Sequence, residues 1–189
     1  MMTAQDNATQ IRDARIFKYI GLPVIGSCLL TISSYLSVPM VPVPITMQTL
    51  AVTLIGALYG WRLGFATVVF WLAQGAMGLP VFAGGASGLV AFGGPTAGYL
   101  IAFPFAAAAT GLLTQIGWGR GRPVLAFLAM LIGNAICLIV GTAWLSVLIG
   151  FEPAFLVGFA PFIPGAVIKS AMGVASLYLW HQIARSRGV

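Results

Sequence analysis

"VLAFLAMLIGNAICLIVGTAWLSVLI", Val124 to Ile149, contains no charged residue. A helix needs about 20 mostly apolar residues to cross the hydrocarbon layer of a bilayer, and this run exceeds that length. Five more apolar runs surround it: Phe17 to Val38, Thr46 to Tyr59, Leu63 to Phe82, Thr96 to Ile116 and Phe162 to Trp180. The second is short and is expected to extend into the preceding loop. Composition agrees, since 60% of the chain is hydrophobic and 6% charged, against roughly 25% charged residues in soluble domains. The expected fold is an all-α integral membrane protein of six transmembrane helices. It forms one domain over residues 1–189 with a short cytoplasmic segment, residues 1–16, and has no room for a separate soluble domain.

The charges orient this bundle. Arg12 and Arg15 precede the first run and Lys18 stands at its start, Arg62 lies in the Gly60–Leu63 turn, Arg120 and Arg122 lie in "GWGRGRP", and Arg185 and Arg187 follow the last run. The alternate connections, Pro39 to Ile45, Ala83 to Pro95 and Gly150 to Pro161, carry no Lys or Arg and only Glu152. Cytoplasmic loops are enriched in Lys and Arg, so both termini are expected inside and the uncharged loops outside. Basic residues scattered over helix ends do not form a nucleic-acid groove. The first run is too long for the about 7 to 15 apolar residues of a signal peptide, and no A-x-A-like site follows it. Cys28 and Cys137 fall within helices and read as small packing residues.

The irregular backbone gathers on the outer side. In "SVPMVPVPITMQT" the prolines at 39, 42 and 44 enforce extended backbone, which at membrane depth must be covered by protein or line a cavity. The next outer connection, within "GGASGLVAFGGPTAGYL" (Gly84 to Leu100), has glycines at 84, 85, 88, 93 and 94 that permit turns and close approach. It serves equally well as a tight helix link or as a binding cradle. Pro95-Thr96 resembles a helix start with a hydroxyl cap, whose free amides suit a polar or anionic ligand. These outer loops are expected to cap a substrate cavity.

Lys169, in "FIPGAVIKSAMG", is an ionisable residue within a span, five residues after Pro164 and so roughly 8 to 10 Å below the outer helix end. Such residues usually face the bundle interior and pair there; the alternative is snorkelling to the headgroups. Asp6 and Asp13 are on the opposite side and Glu152 is in an outer loop, so a ligand carboxylate or carbonyl is the expected partner. Gln48 and Tyr99 border the outer loops as ligand candidates. Asn134 and Gln74 suit interhelical hydrogen bonds, and Trp61, Trp71, Trp118 and Trp144 suit interfacial belts or packing. Gly26, Ser27 and Thr31 give the first helix a small-residue face that admits another helix closely.

Catalysis finds little support. "GASG", Gly85 to Gly88, matches the G-x-S-G of intramembrane serine proteases, and the chain has one histidine, His181. A serine nucleophile needs its base within about 2.6 to 3.2 Å, whereas the expected topology separates Ser87 from His181 by about the ~30 Å hydrocarbon thickness. One histidine and three acids provide no metal cluster, P-loop or carboxylate pair. No cofactor is expected, and binding and transport remain.

Three stretches resemble the BioY family, the biotin-specific substrate-binding (S) components of energy-coupling factor (ECF) transporters. They are "VPVPITMQTLAVTLIGALYGWRLG" (Val41 to Gly64), "GLPVFAGGASGLVAFGGPTAGYLIAF" (Gly78 to Phe103) and "PFIPGAVIK" (Pro161 to Lys169), with a fainter match at "GTAWL" (Gly141 to Leu145). The resemblance implies a multi-pass protein of the bacterial inner membrane that takes up biotin, holding it near the outer face beneath the loop joining the first two helices. On this reading Lys169, Thr46, Gln48, Gly84, Gly85, Ser87, Tyr99 and Asn134 contact substrate. Beyond membrane lipid, the implied partners are a transmembrane coupling subunit and two ATP-binding subunits, docked on the Gly26, Ser27 and Thr31 face. Two departures stand out: Ala166 occupies the acidic position of the family's P-G-D-x-x-K pattern, and Ala86 and Ser87 are neutral where many relatives are expected to be basic. The alternatives are a solitary carrier, an S component for another vitamin-like compound, or the protease.

Overall fold

The computed structural model describes residues 16–119 and 121–186. Arg12, Arg15, Arg120 and Arg187, part of the charge alternation, lie outside these residues, as do Asp6, Asp13 and residues 1–15 of the N-terminal segment. The side chain of Arg185 is likewise outside the description.

Five helices among the described residues are long and apolar enough to cross a membrane. They are α1 (Phe17–Tyr35), α2 (Gln48–Ala76), α3 (Ala97–Trp118), α4 (Pro123–Ile149) and a final stretch, Phe151–Ile183. In that stretch a short helix α5 (Phe151–Ala154) runs through a π-helical turn (Phe155–Phe159) into α6 (Phe162–Ser186). The Gly150–Pro161 connection is thus largely helical. Pro123 opens α4 at its first turn, where its missing N–H costs no hydrogen bond.

The runs Thr46–Tyr59 and Leu63–Phe82 are not separated by a loop. Their residues from Gln48 to Ala76 form α2, while residues 77–82 of the third run lie beyond it; the helix is broken at Gly60, whose φ of 79° and ψ of 171° are non-helical and lie in a region glycine reaches without a Cβ penalty. A Cβ on Gly64 would sit 3.0 Å from Gly56 Cα, although these residues would be about 12 Å apart along a straight helix. The chain therefore folds back on itself at Gly60. Nor does the second run extend into the preceding loop: α2 starts at Gln48, because Ile45–Thr46 (β2) is paired antiparallel with Ser37–Val38 (β1).

Small residues let the backbones meet. A methyl on Gly56 would overlap the Ala107 carbonyl, and one on Gly111 would come 2.7 Å from Gly56 O. With no hydrophobic drive between helices in lipid, such close van der Waals approach is the main source of association. Trp71 is fully buried, its ring edge-on to Phe82 at 5.0 Å and its Nε1 donating to Thr31 Oγ1 at 3.2 Å.

That last contact corrects an expectation. The Gly26, Ser27 and Thr31 face is used inside the chain rather than presented to a partner. Gly26 is buried against Thr67, Tyr59 and Ile55, Ser27 Oγ donates to Gln74 Oε1, and Thr31 receives Trp71. The folded-back α2 fills this small-residue groove of α1. Gln74 is an interhelical hydrogen-bond partner, as expected.

Gly56→Ala is expected to destabilise the bundle by about 1–3 kcal/mol through overpacking, read as a lower midpoint of thermal unfolding in detergent. Gly165→Ala, where an added Cβ meets nothing within 4 Å, should leave that midpoint unchanged or raise it.

Candidate functional site

At the loop-covered end of the bundle the helices enclose a cavity of about 280 Å³, near the lower end of the roughly 300–1,000 Å³ common for small-molecule pockets. The proline loop supplies Val43, Pro44 and Thr46, the glycine connection supplies Phe82, Ala83, Ala86, Ala91 and Gly94, and the helices provide the remaining walls. Helical spacing accounts for those walls: Tyr99, Leu100 and Phe103 on α3, Asn134, Cys137 and Leu138 on α4, and Phe162, Ala166 and Lys169 on α6 recur at three- and four-residue steps on one face.

Hydrogen bonds hold the roof in place. Ser34 Oγ donates to Val81 O at 2.8 Å, Tyr35 Oη to Pro80 O at 2.6 Å, and Trp144 Nε1 to Gly94 O at 3.0 Å. The covering segments are thus fastened to helix ends through their own carbonyls, which gives this irregular backbone the internal partners it needs near lipid.

The polar groups of the cavity lie in linked pairs. Thr46 Oγ1 donates to Gln48 Oε1 at 3.0 Å, and Lys169 Nζ donates to Thr49 Oγ1 at 3.3 Å. Asn134 Nδ2 donates to Ser170 Oγ at 3.3 Å and to Met130 O at 3.0 Å, so Asn134 ties α4 to α6 and also faces the cavity. Lys169 is 8% exposed; it is buried against α2 rather than snorkelling. The residues lining the cavity include no acid. Gln48 is 4% exposed, and among the described residues its Nε2 is the buried side-chain polar atom with no hydrogen-bond partner. A buried donor left unmade costs about 1–3 kcal/mol, and this one belongs to a residue that lines the cavity.

Of the expected contact residues, Lys169, Thr46, Gln48, Tyr99 and Asn134 line this space together. Gly84, Gly85 and Ser87 do not: Gly84 and Gly85 have φ of 67° and 75° and shape the turn, while their neighbours Ala83 and Ala86 form the wall. Tyr99 contributes its ring, because its hydroxyl is spent on Gly158 O at 2.7 Å. Thr96 is the residue before α3, as expected, but makes no side-chain cap bond and faces the cavity instead. Ser87 lies in the glycine connection, whereas His181 borders a second cavity with Gly119, Gly121, Arg122 and Pro123 at the opposite end of the bundle. Sequence reading missed Thr49, Cys137, Phe82, Phe103 and Phe162; only the i, i+3, i+4 spacing around Lys169, Asn134 and Tyr99 pointed to some of them.

A sequence profile of the BioY family matches residues 4–186. The chain belongs to the BioY family. It is 37% identical over 157 residues to a probable biotin transporter BioY of Pyrococcus horikoshii, covering 83% of this chain and 92% of that one. It is 40% identical over 145 residues to the biotin transporter BioY of Rhizobium etli, covering 72% and 77%. A crystal structure at 2.1 Å of the S-component for biotin from an ECF-type ABC transporter superposes with a TM-score of 0.73 at 26% identity, covering 96% of this chain and 95% of that one. Family membership makes this a transport protein rather than an enzyme.

Gln48→Met keeps the side-chain length and removes the unpaired donor. Its unfolding midpoint in detergent is expected to match or exceed the wild type, because the lost Thr46 bond, worth about 1 kcal/mol, is offset by relief of the buried N–H. A drop of many degrees would show that the amide is a structural brace.

Proposed function

We propose that this chain binds biotin in the loop-covered cavity and mediates its uptake as the substrate-specific component of an ECF-type transporter. The observation that carries the reading is the arrangement of Lys169 and the unpaired Gln48 amide in an otherwise largely apolar cavity of ligand size. Biotin suits it, having an apolar thioether ring and alkyl chain with oxygen acceptors at both ends. The family match supports the same substrate, as do relatives named for biotin transport.

The accompanying topology is one membrane domain over residues 1–189 in the bacterial inner membrane, with six spans, the two arms of α2 counting separately, and both termini cytoplasmic. The alternation of basic and uncharged connections supports this orientation. Energy would come from a coupling subunit and two ATP-binding subunits. Their docking surface is not the Gly26, Ser27 and Thr31 face, which is already filled.

Lys169 takes the ligand carboxylate in this proposal. Within a low-dielectric bundle an ammonium needs an opposite charge, and with Ala166 in the acidic position of the family pattern the cavity walls supply none. Gln48 donates to the same group, Asn134 and Thr46 border it, and the rings of Tyr99 and Phe162, stacked at 6.2 Å, flank the apolar part.

Binding of labelled biotin to the purified chain tests this reading. Lys169→Ala should weaken binding by about 10- to 100-fold, the range for a hydrogen bond to a charged group, and biotin amide should bind the wild type more weakly than biotin. Ala166→Asp places a competing carboxylate one turn from Lys169 and should lower affinity. Tightening by that variant would assign the ureido ring to this end, and unchanged binding in Lys169→Ala would reject the lysine as the anchor.

A further inference from the structure

The second cavity, of about 260 Å³, lies where the turn joining α3 to α4 meets the last part of α6, at the end of the bundle opposite the biotin site. Arg122, His181, Gln182 and Tyr178 line it, and none of its lining residues is acidic. Gly121 has a φ of 74°, and Arg122, at φ −127° and ψ 74°, directly precedes α4. Pro123, at the start of α4, also lines the space, so the positive end of a long helix borders the same cavity.

The inner part is different in character. Ala126 and Leu177, 2% and 6% exposed, form an apolar floor beneath these polar groups. His181 Nδ1 is engaged with Leu177 O at 2.6 Å, which fixes the ring and leaves Nε2 as its free nitrogen. Nearby Arg62 is differently employed: its guanidinium lies over the Trp61 ring at 5.0 Å and does not line the cavity.

A guanidinium, an imidazole, an amide and a helix N-terminus around one hollow, with no carboxylate and with an apolar floor, match a phosphate group attached to an apolar body. We infer that this cavity binds the phosphate of an anionic phospholipid. Basic pockets between transmembrane helices on the cytoplasmic side are suited to such headgroups, and this one opens beside helices whose outer faces are apolar. Arg122 is the charge partner, Gln182 and His181 supply further hydrogen bonds, and Ala126 and Leu177 accept the first carbons of the glycerol.

The test is native mass spectrometry of the delipidated full-length protein titrated with phosphatidylglycerol, and separately with phosphatidylcholine. Tighter binding of phosphatidylglycerol is expected. Arg122→Gln should reduce that affinity about five- to tenfold, the scale of one cationic contact at a membrane surface, while Arg62→Gln should change it by less than about twofold. Biotin binding by Arg122→Gln, measured in parallel, should match the wild type and so report an intact fold. Equal affinity for the two lipids, or equal losses in the two arginine variants, would overturn the site. Displacement of phosphatidylglycerol by inorganic phosphate would retain the phosphate chemistry but make a soluble anion its source, overturning the lipid assignment.

Discussion

An ammonium inside a helical bundle can persist only if something other than lipid surrounds it, and the arrangement of this protein follows from sheltering Lys169. Its Nζ reaches Thr49 Oγ1 on α2, while the neighbouring Ser170 is bonded to Asn134 on α4. Three helices thus converge on one polar locus, and the apolar walls from α3 and the covering segments close around it. A charge near the bilayer centre costs at least about 2.5–3.5 kcal/mol. Burial against polar side chains reduces that cost, and an anionic ligand would reduce it further.

The convergence depends on helices that approach closely at their small residues. Because α2 folds back at Gly60, its first arm meets α3 and α6, its second arm packs on α3 through Phe65 and Trp71, and both arms reach Gly26 on α1. Gly56 in the first arm touches the Ala107 backbone, and Thr67 in the second lies against Gly26. One glycine conformation therefore links the packing of α1 to the placement of Thr49 beside Lys169. The small-residue face of α1 is accordingly a folding surface, and the outward residues of that helix, among them Ile25, Leu29 and Ile32, are exposed.

Much of this was legible in the sequence because lipid leaves few choices. Apolar run lengths marked four of the spans closely, and the lysine deep within the last span identified one side of the site. Proline and glycine clustering located the segments that cover it. What the sequence could not show was which side of a small residue would be occupied. Gly26 reads the same whether its neighbour is an internal helix or another subunit, and Tyr99 reads as a hydroxyl donor until Gly158 is seen to take that hydroxyl. Gly84 and Gly85 look like a cradle, yet positive φ at both turns the chain so that the flanking alanines face inward. The reversal between the second and third apolar runs was legible as the Gly60–Leu63 turn; what the sequence did not show is that helical backbone continues on both sides of it with Gly60 as the point of departure.

The selectivity of the cavity follows from a count of donors against acceptors. Lys169 has three N–H donors, of which one is directed at Thr49, and Gln48 adds an amide nitrogen with no internal partner. Asn134 has its N–H groups committed to Met130 and Ser170 and offers its carbonyl side. The polar end therefore presents an excess of donors and a positive charge, and on the proposed reading it would favour a ligand with two oxygen acceptors over one that brings further N–H groups. A site built around unpaired donors rejects a ligand lacking the matching oxygens far more strongly than an apolar pocket rejects a missing methylene, because the donors would stay buried and unmade. On the proposed reading the apolar walls would set ligand size, and the charged end ligand identity.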